Sequence, residues 1–529
     1  MKAKLGVDVG GTFTDVAPWD MLGALHPSDL SRRQFLRRLG IATGATLGGS
    51  LFDDLRAIAQ PAKPVHVVIL GAGLAGLCAA YELERRGHTA VVLEAETRHV
   101  GGRARTLRFE DGLYGEAGAM RIPERHELTR RYVKEMGLTL RPFVQSNPEA
   151  YYYLRGQRER IKNVRALALL YDLRGPEKEK TPDDFWAEAV VRRLEALSDA
   201  EKADLSAETP TTGVVRTLDQ LSLQQLCEGA GLSQEAIDFL ASATGLGTQL
   251  SSAATEHLRE ELLTVWTGRF DEIVGGTDRL PAAFAARLRA KPRMGCEVVT
   301  IEQDPLRRRA AATYLERGRP RRAEGDFVLC TLPFSVLSRL PIERTFSGRK
   351  LRAIRELNYD SSTKVLALTA RRFWETGDGI YGGGTYTDLP TGITYYPADN
   401  AEARDLKVSS RPAVMLASYT WGQQARRLAA LPHRERSALA LRHLARIHPE
   451  LGETRMVMRT ASWSWDNHRW SSGAFAWFTP GQHSALYRDI VAPEGRILFA
   501  GEHASLSHTW MQGAFESALR AVREILTAE

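Results

Sequence analysis

The sequence predicts an α/β protein of mixed α+β character, and three observations carry that prediction. A short, continuous, β-branched apolar run at residues 65–70 (VHVVIL) leads directly into a glycine-rich turn and a helix, as a strand buried in a parallel sheet does. A second strand, turn and helix close the chain: Ile497-Leu498-Phe499-Ala500, then Gly501-Glu502-His503, then a helix over about 513–526. Between these ends, residues 122–266 read as helical from charged-apolar periodicity, for example at 185–197 and 218–232, broken by Pro176, Pro182 and Pro210. A length of 529 residues corresponds to about three structural units.

The first unit has the parts of a Rossmann-like nucleotide site in order. Gly71-Ala72-Gly73-Leu74-Ala75-Gly76 follows the first strand, a helix follows to Arg86, and a second strand over 89–93 ends in Glu94. Gly71 permits the tight turn, Gly73 lets the backbone approach a pyrophosphate, and Gly76 lets helix and strand pack closely. The helix N-terminus offers free N–H groups and a positive dipole end to phosphates. Glu94 is placed to accept hydrogen bonds from a ribose diol, which favours FAD or NAD over NADP. A GxGxxG alone is weak; with strand, helix, strand and acid in sequence it is a strong signal.

Composition bounds the rest. A chain 43% hydrophobic and 26% charged is neither disordered nor fibrous. No stretch approaches the ~18 consecutive apolar residues of a membrane span, so no stable membrane insertion is expected. Cys78, Cys227, Cys296 and Cys330 form no CxxC or Cys/His cluster, which indicates neither a metal site nor a disulfide scaffold. The arginines at 307–309, 317, 319, 321 and 322 lie between two strands with little aromatic interleaving. They read as a solvated hairpin and not as a nucleic-acid surface.

Residues 1–59 read as an extension. Ser31-Arg32-Arg33-Gln34-Phe35-Leu36-Arg37 precedes a weakly apolar Gly/Ala run and Ala57-Ile58-Ala59, which resembles a twin-arginine export signal with its cleavage site. The expectation is a periplasmic or extracellular protein, exported already folded around its cofactor. Upstream, residues 5–15 resemble the phosphate turn of sugar-kinase-like ATPases, but that resemblance stops at Val16.

Beyond Glu94 the chain reads Arg98-His99-Val100-Gly101-Gly102-Arg103-Ala104-Arg105-Thr106. This is similar to the R-x-x-G-G-R-x-x-T segment of the flavin-dependent amine oxidase family. The resemblance implies FAD, with Gly101, Gly102 and Arg103 beside its phosphates. It gives Val298 a place in the cofactor site, and Gly501 and Glu502 a place at the ribityl or pyrophosphate region. It further implies the architecture: an FAD-binding domain in pieces (60–121, 267–345, 490–529), a helical domain (122–266) and a mixed-sheet substrate domain (346–489), interleaved along the chain.

Glu116-Ala117-Gly118-Ala119-Met120-Arg121 is similar to the segment where the L-amino acid oxidase branch places its carboxylate-binding Arg. A guanidinium fork matches a carboxylate bidentately; the plainer alternative pairs Arg121 with a structural acid such as Glu116. The resemblance makes Lys364, in an otherwise apolar strand, the active-site Lys that holds a water near the flavin. Phe475 and Trp510 become the aromatic walls. One of Tyr395 and Tyr396 shares the carboxylate; adjacent strand residues face opposite ways, and Tyr396 is preferred. Ala474 stands where monoamine oxidases carry a flavin-bonding Cys, which implies non-covalent FAD. Thr509 stands where amino-acid oxidases have Gly, leaving the contact of that backbone carbonyl with the substrate amine open. Glu256, Glu260 and Glu261 read as solvated helix charges, with contact to a basic substrate as the alternative.

The activity so implied is oxidation of an L-amino acid by FAD and oxygen to a 2-oxo acid, ammonia and hydrogen peroxide. An amine oxidase, and further off an inactive exported flavoprotein, are the alternatives. A symmetric homo-oligomer is expected for an oxidase of this size.

Overall fold

The computed structural model describes residues 63–528; the export-signal reading lies outside the described residues. His66–Leu70 is the central strand of a five-stranded parallel sheet. Its neighbours are Thr89–Glu94 on one side and Phe327–Cys330 on the other, with Arg293–Met294 and Ile497–Phe499 at the edges. The pattern VHVVIL has a physical reason. Val67 and Ile69 enter one hydrophobic core, Val68 and Leu70 the other, and all four are fully buried. A strand covered on both faces cannot alternate apolar with polar.

On one face Leu77 and Leu83 of the helix Leu74–Arg85 pack with Phe515, Leu519 and Val522 of the C-terminal helix Met511–Thr527. The first and last helices of the described residues thus build one core. On the other face lie the antiparallel strands Cys296–Asp304, Arg309–Glu316 and Arg319–Gly325, with the helices Gly348–Glu356 and Gln482–Val491. The basic hairpin is locally neutralised, Arg309 pairing with Glu324 and Asp326 and Arg322 with Glu324.

A seven-stranded mixed sheet forms the second unit, in the order Val457–Ser464, Ser362–Thr369, Ala413–Trp421, Ile393–Tyr396, Gly383–Thr387, Tyr151–Leu154, Gln157–Arg160. Its last two strands correct the expectation of a helical stretch from residue 122. Leu140–Phe143 also is a strand, paired with Phe270–Ile273, and the helix Glu127–Glu135 packs into the nucleotide-side core. Short aromatic strands such as Tyr151-Tyr152-Tyr153 carry β propensity that a helical period obscures. The helical body occupies residues 161–262 and ends in the helix Ala254–Leu262. Among the described residues no helix is long and apolar enough to cross a membrane.

Candidate active site

A cavity of about 400 Å³ runs from the carboxyl ends of the parallel strands to the junction of the mixed sheet with the helical body. Gly71, Gly73, Glu94, Gly101, Gly102, Arg103, Val298, Gly501 and Glu502 line its nucleotide end. Gly76 stays outside the lining because its role is packing: a Cβ there would stand 2.1 Å from the Gly71 carbonyl oxygen. Gly71 itself turns at φ +102°, a left-handed conformation that glycine adopts without cost.

These residues fit a dinucleotide. A Cβ built on Gly73 would project into open space beside the cavity, with no atom within 4 Å. The helix that begins there has no side-chain cap, so its first-turn N–H groups are available to phosphate. Glu94 is oriented by the N–H groups of Ala72 and Glu96, which donate to its two oxygens at 2.7 and 2.8 Å. Burial raises its proton affinity. Arg103 donates to Glu502 Oε1 at 2.6 Å and to the Ala474 carbonyl at 3.2 Å, linking the second glycine loop to both later segments of the site. Glu502 also receives the N–H groups of Ala476 and Thr509.

At the other end, Arg121 follows the strand-and-turn region after Glu116 and is buried. Its Nη1 donates to Gln145 Oε1 at 2.7 Å and to Tyr395 Oη at 3.1 Å, and its guanidinium lies over the Trp266 ring at 4.9 Å. Glu116, the acid of the plainer reading, instead accepts from Thr106 Oγ1 and Thr277 N. The preference for Tyr396 is corrected. Its hydroxyl bonds Thr385 and His448 in the core, while Tyr395 faces the cavity. The two tyrosines do face opposite ways, and the register irregularity beside them lies in the partner strand Ala413–Trp421, so alternation by itself leaves open which one meets the cavity.

Lys364 is on a central strand and buried, not at a sheet edge. Its Nζ donates to the Gly118 carbonyl at 2.7 Å and lies 4.4 Å from the Tyr419 ring centroid. Burial lowers its proton affinity; Glu116 opposes that and Arg121 adds to it. Phe475 and Trp510 both line the cavity, Trp510 edge-on to Trp266 with centroids 5.4 Å apart. Thr509 adopts φ +70°, the conformation a glycine would take at that position.

Glu256 and Glu261 are buried, and Glu260 is half-buried on the cavity wall. Ala254, Leu258 and Leu262 face the helical core. Glu256 and Glu260, four residues apart, meet the loop that ends the chain's last turn before its helix. Glu256 pairs with Arg259 and His508, which hold it down at about 2 against the upward push of burial. Glu260 accepts from Trp510 Nε1 at 2.8 Å and Trp266 Nε1 at 2.7 Å. Gln145 and Trp266 also line the cavity and no motif announced them; Glu260, in the sequence an alternative contact for a basic substrate, lines it with them.

The fold and cavity define a dinucleotide-binding α/β protein with a buried arginine on the cavity wall. The model of flavin-containing amine oxidoreductases matches residues 74–526, and the chain belongs to that family; its cofactor is a flavin. It is 34% identical over 494 residues to an L-amino-acid oxidase of Siganus canaliculatus, covering 91% of this chain and 90% of that one. An L-amino-acid oxidase of Vipera ammodytes ammodytes is 30% identical over 473 residues, covering 88% and 93%. Putrescine-bound putrescine oxidase shares the fold with a TM-score of 0.67 at 23% identity, over 88% of this chain and 99% of that one.

Proposed function

We propose that this protein oxidatively deaminates L-amino acids to 2-oxo acids, releasing ammonia and hydrogen peroxide, with FAD held non-covalently. One observation carries the reading: Arg121 is buried at the cavity wall with neutral hydrogen-bond partners, so its charge is available to an α-carboxylate. The named activity of the amino-acid oxidase relatives agrees with that chemistry.

Arg121 and Tyr395 hold the carboxylate, and Phe475 and Trp510 confine the rest of the substrate. Positioning of this kind supplies a large share of rate. Gly71, Gly73, Glu94, Gly101, Gly102, Arg103 and Glu502 would hold the flavin, which would supply two-electron oxidation of the substrate and reoxidation by oxygen. Lys364, with its lowered proton affinity, holds or yields a proton on the cavity wall, where water adds to the imino acid. Ala474 offers no sulfur for a bond to the flavin, which supports a dissociable cofactor. The arginine pair Arg32-Arg33 and the weakly apolar run after it support a reading of export in the folded state.

The test is purified yellow holoenzyme with an L-amino acid panel under oxygen, with peroxide, ammonia and oxo acid measured in equal amounts. Acid precipitation should leave the yellow colour in the supernatant. Peroxide from simple amines but not from amino acids would overturn the proposal in favour of an amine oxidase.

A further inference from the structure

The helix Ala254–Leu262 delivers two adjacent carboxylates, Glu260 and Glu261, to the same cavity as the carboxylate anchor. Glu256, on the same helix, is neutralised by Arg259 and His508. Glu260 is different: its hydrogen bonds come from two indole N–H groups, one to each oxygen. Each oxygen keeps a free lone-pair direction. Glu260 is half-buried, and a carboxylate partly withdrawn from water and met only by neutral donors is stabilised when a cation joins it. Burial pushes Glu260 up to about 7, in the direction that withdrawal requires.

The position of the charge matters as much as its presence. Trp266 carries Arg121 on its ring at 4.9 Å and donates its own N–H to Glu260 at 2.7 Å. Glu260 therefore stands one indole away from the guanidinium. Arg121 is the nearby positive group, and its charge is committed to the α-carboxylate once substrate binds. Glu261 accepts from Trp186 Nε1 at 3.3 Å and lines the cavity beside it. The indoles of Trp186, Trp266 and Trp510 add aromatic surface that favours a cation.

Resting on the amino-acid oxidase reading above, we propose that Glu260, assisted by Glu261, selects L-amino acids with a cationic side chain of arginine or lysine length. The α-carboxylate goes to Arg121 and Tyr395, and the distal ammonium or guanidinium goes to the Glu260 carboxylate. A neutral side chain of the same length leaves that carboxylate without its counter-charge. Discrimination then rests on an unmet polar group, the strongest means a binding site has.

The test compares near-isosteric pairs on the flavin-loaded full-length enzyme: L-arginine against L-citrulline, and L-lysine against L-norleucine. Flavin reduction under nitrogen and steady-state kcat/KM are both read. The wild type should favour each cation by about 10- to 100-fold, the range of a charge-assisted contact. Glu260→Gln should bring both ratios close to one. Glu260→Asp, which keeps the charge, should retain part of the preference, and it decides the matter if the Gln variant does not hold flavin. Wild-type ratios near one overturn the proposal. So does an equal loss with all four substrates in Glu260→Gln, which would put the carboxylate at the α-amine they share. Reduction by norleucine without preference for lysine sinks this inference alone; no reduction by any L-amino acid sinks the oxidase reading as well.

Discussion

Tyr395 accepts a hydrogen bond from Arg121 at 3.1 Å, while Tyr396, its neighbour in the chain, sends its hydroxyl the other way to His448 Nε2 at 2.6 Å. In the proposed function Tyr395 serves binding, while Tyr396 serves folding. Gln145 donates to Tyr395 as well, so the phenol, the amide and the guanidinium form one neutral-plus-cation cluster at the cavity wall. The Tyr396 hydroxyl completes a buried network with Thr385 and His448.

Substitution should separate these roles. Arg121→Ala is expected to raise KM for amino acids by orders of magnitude, and Tyr395→Phe by about tenfold, since hydrogen bonds to charged groups contribute about 1.5–3 kcal/mol. Tyr396→Phe is expected to leave KM alone and lower unfolding stability by about 1–3 kcal/mol, through the buried partners it strands. Steady-state kinetics and chemical denaturation of the three variants check both halves. A KM effect from Tyr396→Phe equal to that of Tyr395→Phe would refute the assignment.

Thr509 holds a left-handed backbone that β-branched residues rarely adopt, and its N–H is tied to Glu502 Oε2 at 3.1 Å. The left-handed conformation costs a non-glycine residue about 1–2 kcal/mol. Glycine removes that cost but gains freedom in the unfolded chain, which offsets about 0.4–1 kcal/mol. Thr509→Gly should therefore stabilise the holoenzyme by up to about 1 kcal/mol and raise its Tm by about 1 °C, since the entropy of unfolding grows with chain length. A lower Tm would show that the threonine side chain contributes more than its backbone strain costs.

How far the site was legible follows from the distance over which each part is built. Gly71, Gly73, Glu94, Gly101 and Gly102 act through local backbone shape, and local shape is written in consecutive residues. Arg103 and Glu502 were readable only as motif members; their pairing across 399 residues is a product of the fold. The choice between Tyr395 and Tyr396 failed because alternation says only that neighbours face opposite ways; which of them meets the cavity is set by the distant partners Arg121, Gln145 and His448. The glutamates failed for another reason. The stripe Ala254, Leu258 and Leu262 satisfies the rule for one buried helix face, so the acids on the remaining surface read as solvated. Their second buried environment comes from His508 and Trp510, about 250 residues downstream, and no periodicity within the helix can announce it.

Lys350 offers a test of burial energetics away from the cavity. It is 1% exposed, donates to the Ile490 carbonyl at 2.8 Å, and its Nζ lies 3.8 Å from the Phe499 ring centroid. Burial lowers its pKa from 10.5 to about 7, with Glu494 opposing. A lysine with a lowered folded-state pKa binds fewer protons in the native than in the unfolded state between those two values. By linkage, its contribution to stability must therefore rise with pH across that window, from about 7 to 10.5. Below it the ammonium is charged in both states and the full burial cost is carried. Lys350→Met keeps the volume and removes the titration. The variant should be the more stable protein at neutral pH. Its advantage should shrink by up to about 1.4 kcal/mol per pH unit on going from pH 7 toward 9. Denaturation at a series of pH values gives the difference directly. A difference that stays constant with pH would mean that Lys350 remains charged in the folded protein, held by the Ile490 carbonyl and the Phe499 ring strongly enough to cancel its desolvation.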